Sequence, residues 1–388
     1  MLILSILSLV LITAVIFELS AGFMKMPTLE DYCPDSSSDV VVSIIVPACN
    51  EEEKIEAGLR SLAGQEYKNI EVVVVNDRST DTTGEIIDRV RQQYPQIKCI
   101  DIKTLPDGWL GKPHALQRGA ETATGTYLVF TDADVQLEQS TISRAVTAME
   151  TGELDQLALV FKNSSSGALL NAIVGDIGAG LLWIIKPWRA RFQSSRYFVG
   201  VGAYNMVRTD VYQKIGKHKQ IRMQVIDDLF LGKLIKREGY RQECMTAQEF
   251  VTVPWYQSVD ELISGLMKNV FAFFNYRVSC MLLSVLALVC VVILPYWGAF
   301  FCTGPVQLIF ILGVVVRIFG IGRGLILSGV EKRAALWLLV TPFILLYIIF
   351  RASVMALTRG GISWRGSFYR LEELKKQEWV LSGLFRLR

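Results

Sequence analysis

The stretch TYLVFTDADVQLEQ, residues 126–139, decides the fold class of this chain. Its apolar run at 128–130 has the composition of a buried strand, and two carboxylates, Asp132 and Asp134, follow that run closely. Two earlier runs, VVSIIVPA and IEVVVVND, are continuous and β-branched, as strands buried on both faces are. Each leads into a helical pattern, NEEEKIEAGLRSLAGQ after the first and DRSTDTTGEIIDRVRQQY after the second. This alternation predicts an α/β domain with a doubly wound parallel sheet.

The composition indicates a membrane protein. The chain of 388 residues is 51% hydrophobic with a mean hydropathy of +0.35, and the apolar excess is concentrated at both ends. A formal net charge of only +3 implies no broad surface for polyanions, so we expect no nucleic-acid partner. Seven scattered cysteines without a C-x-x-C pair, and two histidines in all, argue against a disulfide framework and a zinc site and favour a reducing cytosolic face.

Hydropathy divides the chain into five parts. No basic stretch precedes the first apolar run, so a retained anchor is favoured over a cleaved signal peptide. The predicted parts are an N-terminal transmembrane anchor at 1–22, an α/β domain at 40–258, an amphipathic interfacial helix at 259–279, transmembrane segments at 280–357 and a basic tail at 358–388. In the interfacial helix the residues expected to face lipid are Leu262, Leu266, Val270 and Phe273 or Phe274.

The late apolar segments, 280–302, 306–327 and 335–356, pose a topological conflict. The middle one carries Arg317 and Arg323 among four glycines, so it is expected to be kinked, re-entrant or packed inside a bundle. If all three cross the membrane, the basic tail lies opposite the α/β domain, whereas the positive-inside rule keeps that tail cytosolic. We therefore expect one segment, with 306–327 the first candidate, not to cross.

Inside the α/β domain, the stretch ALLNAIVGDIGAGLLWIIKPW (168–188) is unusually apolar. It is compatible with a buried helix of the domain. It is equally compatible with an interfacial helix that rests on the bilayer, with Trp183 and Trp188 as anchors.

Carboxylates follow two of the predicted strands. Asp77 ends IEVVVVND, and Asp132 and Asp134 end TYLVFTDAD. In a parallel α/β sheet, ligands bind beyond the carboxyl ends of the strands. Paired carboxylates there suit Mg²⁺ or Mn²⁺, which prefer oxygen ligands and share them with phosphates. A solvated turn is the alternative interpretation.

Three further stretches carry candidate functional residues. After the first strand, Pro47 and Asn50 are predicted to break the strand, and Asn50 can cap the next helix. The loop LPDGWLGKPHAL (105–116) offers Lys112 between glycines and could cover a phosphate or a base. Asp227 and Asp228 precede an amphipathic helix, where they could act as a general base or could simply satisfy the helix dipole.

Taken together, residues 41–280 resemble the family 2 inverting glycosyltransferases, whose catalytic domain has a GT-A type fold. VSIIVPACNEEEKI is similar to the opening strand of that family, and VVNDRSTDTT to its second nucleotide-binding motif. GKPHALQRGAETATGTYLVFTDADV is similar to the segment that ends in its metal-binding D-x-D. GVGAYNMVRTDVYQKIGKH followed by VIDD resembles its acceptor side and catalytic acid.

The resemblance implies a nucleotide-sugar donor, most often a UDP-sugar, and a role for each candidate residue. Asp134 would bind Mg²⁺ or Mn²⁺ directly, with Asp132 closer to the ribose or sugar. Asp228, or else Asp227, would deprotonate the acceptor hydroxyl, and one displacement would invert the anomeric carbon. The residues implied to hold the donor are Pro47, Asn50, Glu52, Asp77, Lys112 and Asp132.

The membrane segments resemble those of the lipid-modifying branch, which includes ceramide glucosyltransferases and the carotenoid-acid and hopanoid-associated enzymes. The tail sequence ISWRGSFYRL (362–371) is similar to the tail of ceramide glucosyltransferases. This likeness implies that a single sugar is moved to a lipid hydroxyl. It also implies an integral protein of the cell inner membrane with a cytosolic catalytic domain.

One departure concerns the motif Q-x-x-R-W, which many members carry on the interfacial helix. Here that place reads GLMKNVFAFFNYR, with Lys268 and Arg277 as the available cations for the leaving diphosphate or for lipid headgroups. The missing motif argues against a processive polysaccharide synthase. A polyprenyl-phosphate glycosyltransferase, a nucleotidyltransferase and a non-catalytic membrane protein that binds nucleotide sugars remain as alternatives.

Overall fold

The computed structural model describes residues 1–35 and 38–384. Its strands are β1 Val42–Ala48, β2 Ile70–Asp77, β3 Ile97–Ile102, β4 Tyr127–Phe130, β5 Gln136–Leu137, β6 Gln156–Val160, β7 Lys162–Asn163, β8 Asn205–Arg208, β9 Gln242–Thr246, β10 Val251–Val253, β11 Gly361–Trp364 and β12 Ser367–Arg370. The helices of the α/β domain are α2 Ile55–Ala63, α3 Thr83–Gln93, α4 Gly111–Thr122, α5 Thr141–Thr151, α7 Thr209–Lys214 and α8 Asp227–Arg237. The other helices are α1 Leu2–Phe23, α6 Ala168–Ile185, α9 Val259–Phe273, α10 Val278–Leu288, α11 Leu294–Phe301, α12 Gly304–Leu327, α13 Ala334–Trp337, α14 Thr341–Arg359 and α15 Leu371–Lys375.

A seven-stranded sheet in the order β3-β2-β1-β4-β8-β6-β9 forms the centre of the domain. The first four strands are parallel, as predicted, because each is followed by a helix that returns the chain to the same edge. β8 runs antiparallel to both of its neighbours, so the sheet is mixed rather than wholly parallel. The α/β class is therefore confirmed, and the antiparallel strand is the feature that the sequence did not predict.

Both faces of the parallel strands are buried, which explains why their sequences are continuous apolar runs. Alternate residues of β1 and β2 point to opposite faces: Ile44 and Val72 pack in one core cluster, and Ile45 and Val73 in the other. Helices α2, α3 and α5 contribute to the first cluster, and α4 and α8 to the second. This two-sided core holds the carboxyl edge of the sheet in place.

Two local predictions at the end of β1 are wrong. Pro47 lies within β1, opposite Val75 of β2, and does not end the strand. The pairing of β1 with β4 stops at Ile45, so the proline reaches past the end of β4 and its missing N–H costs no ladder bond there. Asn50 does not cap α2, which begins only at Ile55.

Within the described residues, five helices are long and apolar enough to cross a membrane: α1, α6 with the residues that follow it to Arg189, the α10–α11 pair, α12 and α14. A π-helical turn, Val289–Ile293, joins α10 to α11. α12 is continuous and packs along α1 and α11, so the prediction that this segment packs inside a bundle is confirmed.

Chain segments before and after the last apolar helix, α14, contact the α/β domain. α12 returns the chain there, where Gln248 Nε2 donates to Ser328 Oγ at 3.1 Å. After α14 the hairpin of β11 and β12 reaches the same domain, where the Gly111 amide donates to Tyr369 Oη at 3.2 Å. The expectation that 306–327 does not cross the membrane stays a prediction. The basic tail packs on the α/β domain, where Lys233 Nζ donates to the Trp379 carbonyl at 2.7 Å.

The lipid-facing prediction for α9 is wrong at Leu262 and Leu266. Both side chains are buried, and they pack with Ile173 of α6 and Ile348 of α14. Val270 packs partly against the same cluster, while Phe273 and Phe274 are half-buried against neighbouring clusters. The apolar face of α9 is therefore covered by protein, because α6 and α14 supply a partner surface that the sequence of α9 cannot reveal. The stretch at 168–188 is a helix as predicted, half-buried against α12, α13 and α14.

A buried polar network ties α6 to the helix bundle. Asp176 of α6 forms an ion pair with Arg317 of α12, and both side chains are almost fully buried. Arg317 also donates to Tyr296 Oη and to the Leu338 carbonyl, each at 3.0 Å. The Thr341 hydroxyl donates to Asp176 at 2.5 Å. Asp176 Oδ2 and the two terminal nitrogens of Arg317 are thus hydrogen-bonded, as buried charged groups need to be.

Replacing Arg317 with leucine is expected to destabilise the protein by about 3–5 kcal/mol, because it leaves Asp176 buried without its counter-charge. The measurement is the thermal midpoint of the purified protein in detergent. Arg323→Leu is the matched control, since Arg323 lies on the same helix and is exposed. Removing both charges with Asp176→Leu and Arg317→Leu should restore much of the loss. Equal midpoints for Arg317→Leu and Arg323→Leu would contradict a role for the pair.

Candidate active site

The carboxyl edge of the sheet gathers the predicted acids into one cavity of about 1330 Å³. β4 ends at Phe130, which pairs with Ile45, and β1 continues from there to Ala48, so the acids after β4 lie beside the last residues of β1. The predicted residues that line the cavity are Pro47, Asn50, Glu52, Asp77, Lys112, Asp132, Asp134, Asp227, Asp228 and Lys268. Arg277 does not line it: it is exposed at the start of α10, so its predicted place at the leaving group is wrong.

Lys112, at the start of α4, is the central cation of the cavity. Its Nζ lies 2.6 Å from Asp132 Oδ1 and 4.0 Å from Asp227 Oδ1. Burial alone would lower the pKa of Lys112, but Asp132, Asp227 and Asp228 together raise it above its usual value. The ammonium group is therefore charged at all physiological pH values, and it engages one oxygen of Asp132.

Asp134 lies on the side of this cluster where less positive charge offsets the carboxylates. Burial, then Asp132 and Glu51, raise the pKa of its carboxyl to about 7. Within the part of the chain that the structure describes, Asp134 makes no salt bridge. The carboxylate is therefore short of positive charge and is free to bind a cation.

The donor atoms here fit Mg²⁺ or Mn²⁺ better than a soft metal, since Asp132 and Asp134 offer only carboxylate oxygens. In residues 1–35 and 38–384 no group of three His, Cys, Asp or Glu side chains is arranged around a metal position. An ion held by these two acids would take its other ligands from water or a bound diphosphate, which is how such ions bind in nucleotide-dependent enzymes.

Asp227 and Asp228 open α8 and differ in exposure. Asp227 is buried and faces Lys112, whereas Asp228 is half-buried. Gly202 separates Asp228 from Asp132: a β-carbon at Gly202 would lie 3.3 Å from Asp228 Oδ2 and 3.2 Å from Asp132 Oδ2. Burial raises the pKa of both carboxyls, and Lys112 opposes that shift. Asp228 is thus the acid that a substrate in the cavity can reach more easily.

Two of the predicted donor-binding side chains are engaged in holding the strand-end loops together. Asn50 Oδ1 accepts from the Thr80 amide at 2.8 Å, and Glu52 accepts from the Thr82 amide at 3.0 Å and its hydroxyl at 2.7 Å. Asn50 adopts a positive φ of 55°, a conformation that asparagine tolerates well. Asn50 and Glu52 therefore shape the site by joining the loop after β1 to the loop after β2.

Asp77, the last residue of β2, is buried and bound by its neighbour. Arg78 donates through Nε and Nη2 to the two carboxylate oxygens, each at 2.8 Å. This bidentate pair fixes the plane of the carboxylate. A nucleoside bound at this edge would meet an acid that is already oriented.

Sequence reasoning missed the hairpin of β11 and β12 as part of the site. Arg365 at its tip forms an ion pair with Glu51 and donates to the Asn50 carbonyl at 3.1 Å. Arg78 Nη1 donates to Ser367 Oγ at 3.1 Å. Together with the bond from Gly111 to Tyr369, these contacts connect the hairpin to all three loops predicted to hold the donor.

A sequence signal for this hairpin was available. The turn residues Arg365 and Gly366 both have positive φ, 48° and 75°, as a two-residue type I′ turn requires. A glycine at the second turn position between alternating apolar residues is typical of such a hairpin. The pattern predicts the turn, but it gives no indication that the turn packs on loops some 300 positions earlier in the chain.

Lys268 of α9 meets the hairpin inside the cavity. Its Nζ lies 4.0 Å from the centre of the Trp364 ring, within the range of a cation–π contact. Burial, and then the nearby charge of Lys112, lower the pKa of Lys268 to about 8. Lys268 and Arg365 therefore place two cations on the wall that α9 and the hairpin form.

Comparison with known proteins shows which families the domain is similar to. Residues 43–216 match the model of glycosyl transferase family 2. A probable glycosyltransferase of Bacillus subtilis, YdaM, is 30% identical over 143 residues, which are 35% of this chain and 34% of that protein. The 4,4'-diaponeurosporenoate glycosyltransferase of Staphylococcus haemolyticus is 23% identical over 236 residues, 59% of this chain and 60% of that protein. The chain thus spans about a third to three fifths of the length of these curated relatives.

One solved structure shares the fold over nearly its whole length. The mannosyltransferase of Pyrobaculum calidifontis, in complex with GDP-Man and Mn²⁺, superimposes with a TM-score of 0.53 at 17% identity. The match covers 89% of this chain and 99% of that one. The predicted GT-A type fold class is confirmed.

Proposed function

We propose a reaction for this chain on the basis of the match of its residues 43–216 to the model of glycosyl transferase family 2. The chain transfers one sugar from a nucleotide sugar, with a UDP-hexose as the first candidate, to the hydroxyl group of a membrane lipid. The observation that carries the proposal is the cavity itself. It is lined by the strand-end acids and Lys112 at one end and by the apolar helices α1, α6 and α12 at the other.

The donor half of the cavity supports binding of a nucleoside diphosphate. The loops after β1 and β2 would hold the nucleoside beside Asp77, and Lys112, Lys268 and Arg365 surround the place for the diphosphate with positive charge. A divalent cation held by Asp134 and Asp132 would supply Lewis-acid stabilisation of the departing diphosphate. Asp132, held by Lys112, would face the ribose or the sugar.

The chemical step is a single displacement. The Asp228 carboxylate accepts the proton of the lipid hydroxyl while that oxygen attacks the anomeric carbon. The bond from the anomeric carbon to the diphosphate oxygen breaks as the new glycosidic bond forms on the opposite face. The products are a lipid glycoside of inverted configuration and a nucleoside diphosphate, with the proton left on Asp228.

The helices support an integral membrane protein in which α1, the α10–α11 pair and α12 cross. The α/β domain and the basic tail then share the cytosolic face of the inner membrane, in line with the positive-inside rule. Two relatives from staphylococci are named as 4,4'-diaponeurosporenoate glycosyltransferases, and each match covers more than half of this chain. An apolar carboxylic acid of the carotenoid type is therefore a second candidate acceptor.

The test is transfer by the purified full chain in native lipid extract, with a panel of UDP- and GDP-sugars and either Mg²⁺ or Mn²⁺. Mass spectrometry of the lipids reads the product. A single new hexosyl-lipid mass supports the proposal and identifies donor and acceptor together. Products of many lengths would favour a polysaccharide synthase, and a glycosylated polyprenyl phosphate would favour a priming enzyme. Tight donor binding without any product would favour the non-catalytic alternative.

Arg365→Ala is expected to lower kcat/KM for the donor about 10- to 100-fold, because a hydrogen bond between charged groups contributes roughly 1.5–3 kcal/mol. The measurement is initial transfer rate against donor concentration. Arg370→Ala is the matched control, since Arg370 is exposed in the same hairpin and lies outside the cavity. If the two variants behave alike, the hairpin has no part in donor binding.

A further inference from the structure

The cavity does not end at the acids but continues between three apolar helices. Its far part is lined by α1, α6 and α12, with side chains such as Leu19, Phe23, Leu182 and Ile321. Pockets for small ligands usually measure about 300–1000 Å³, so a volume of about 1330 Å³ leaves room beyond a nucleotide sugar. We call this far part, between α1, α6 and α12, the membrane groove.

Close contacts between the helices flank the groove and keep it open. Gly175 of α6 packs on Leu325, whose Cδ2 would lie 2.2 Å from an added β-carbon, and Gly320 of α12 packs as closely on Ile16 of α1. Gly178 and Gly324 also line the cavity, yet a β-carbon at either would meet no atom within 4 Å. The helices thus touch at one turn and leave a gap at the next.

The groove is connected to the predicted base. Residues 199–202 line the cavity and pack on the start of α8, where an added β-carbon at Gly200 would overlap the Asp228 carbonyl. A molecule lying in the groove therefore reaches the Asp228 carboxylate along this segment. Arg323 is exposed on the groove wall, and long basic side chains on membrane helices usually extend to the headgroup level. The mouth of the groove would therefore open near the membrane surface.

The sequence predicted a lipid-facing surface on α9, but α9 cannot serve as an open lipid-binding face. Its residues Leu262 and Leu266 are buried under α6 and α14. The membrane groove is the apolar surface that is continuous with the acids.

We infer that the membrane groove binds the hydrocarbon chain of the acceptor lipid and leads its hydroxyl to Asp228. The inference rests on the proposed function, and it assigns the acceptor a route through α1, α6 and α12. Gly178 and Gly324 line the cavity and have open space beside them, so a large side chain at either position would enter the groove and block it.

Gly178→Trp tests the inference, with Gly180→Trp as the matched control. Gly180 lies on the same helix and is equally open, but it does not line the cavity. Transfer to lipids of the native extract is expected to fall at least ~10-fold in Gly178→Trp, because an indole in the groove occupies the space of several methylene groups of the lipid chain. In Gly180→Trp we expect transfer to stay near the wild-type rate. Donor binding should be unchanged in both variants.

A photoactivatable ceramide gives a second readout that does not need turnover. We expect it to label peptides of α6 and α12 in the wild-type protein and in Gly180→Trp, and to label them much less in Gly178→Trp. Gly324→Trp, on the opposite wall, should reproduce Gly178→Trp if either variant alone folds poorly. Undiminished transfer and labelling in Gly178→Trp and Gly324→Trp would overturn the inference. A wild-type protein that glycosylates no lipid would instead overturn the proposed function.

Discussion

Replacing Asp228 with asparagine is expected to lower sugar transfer by about 10²- to 10⁴-fold, the usual contribution of a general base, while donor binding stays near the wild-type value. Asparagine has almost the same size as aspartate, so the start of α8 keeps its packing on residues 199–202. Because the amide cannot accept the hydroxyl proton, only the chemical step is slowed. The measurements are the transfer rate at saturating donor and the donor dissociation constant by calorimetry.

Asp227→Asn is the control that separates the two neighbouring acids. Asp227 is buried against Lys112, so its replacement removes a partner of that ammonium group and leaves the Asp228 carboxylate in place. We expect a smaller loss of transfer than in Asp228→Asn. A larger loss in Asp227→Asn would reassign the base to Asp227. Loss of donor binding with transfer retained in Asp228→Asn would contradict a catalytic role for this pair.

Asp134→Ala is expected to reduce transfer about 10²- to 10³-fold and to abolish the effect of divalent cations on donor binding. Asp134 has no salt-bridge partner in the described residues, so its removal costs the fold little and takes away the freest oxygen ligand of the cavity. Manganese binding in the presence of UDP, followed by electron paramagnetic resonance, gives a readout that does not depend on turnover.

Two further variants serve as comparisons for Asp134→Ala. Asp132→Ala should weaken manganese binding less than Asp134→Ala, because one oxygen of Asp132 is already held by Lys112. Asp88→Ala should change nothing, since Asp88 is exposed on α3 and outside the cavity. Unaltered manganese binding in Asp134→Ala would show that these acids do not hold the metal.

The sequence predicted the acids well because their positions follow from local periodicity. A β-branched run that ends in an acid marks a strand end, and parallel strands bring their carboxyl ends to one edge of the sheet. Asp77, Asp132 and Asp134 therefore had to lie close together once the strands were recognised. The α/β class follows from the same pattern.

The errors concern contacts between distant parts of the chain. The apolar stripe that contains Leu262 and Leu266 is compatible with contact to lipid and with packing on α14, because both partners are equally apolar. Lys268 lies within α9 and contacts the Trp364 ring inside the cavity. Arg277 follows the end of α9 and lies outside the cavity. The amino-acid composition does not distinguish a helix face covered by protein from one covered by lipid, or a cation in the cavity from one outside it.

The sequence by itself determined the parallel strands of the sheet, the acidic edge and the apolar helices, because strand and helix periodicity and hydropathy are properties of neighbouring residues. Only the tertiary structure decided that the hairpin carrying Arg365 returns to the donor loops, that Asp176 pairs with Arg317, and that α1, α6 and α12 leave a groove beside the acids. Each of these features joins segments more than a hundred residues apart. Such contacts depend on the packing of whole helices and not on local sequence preference.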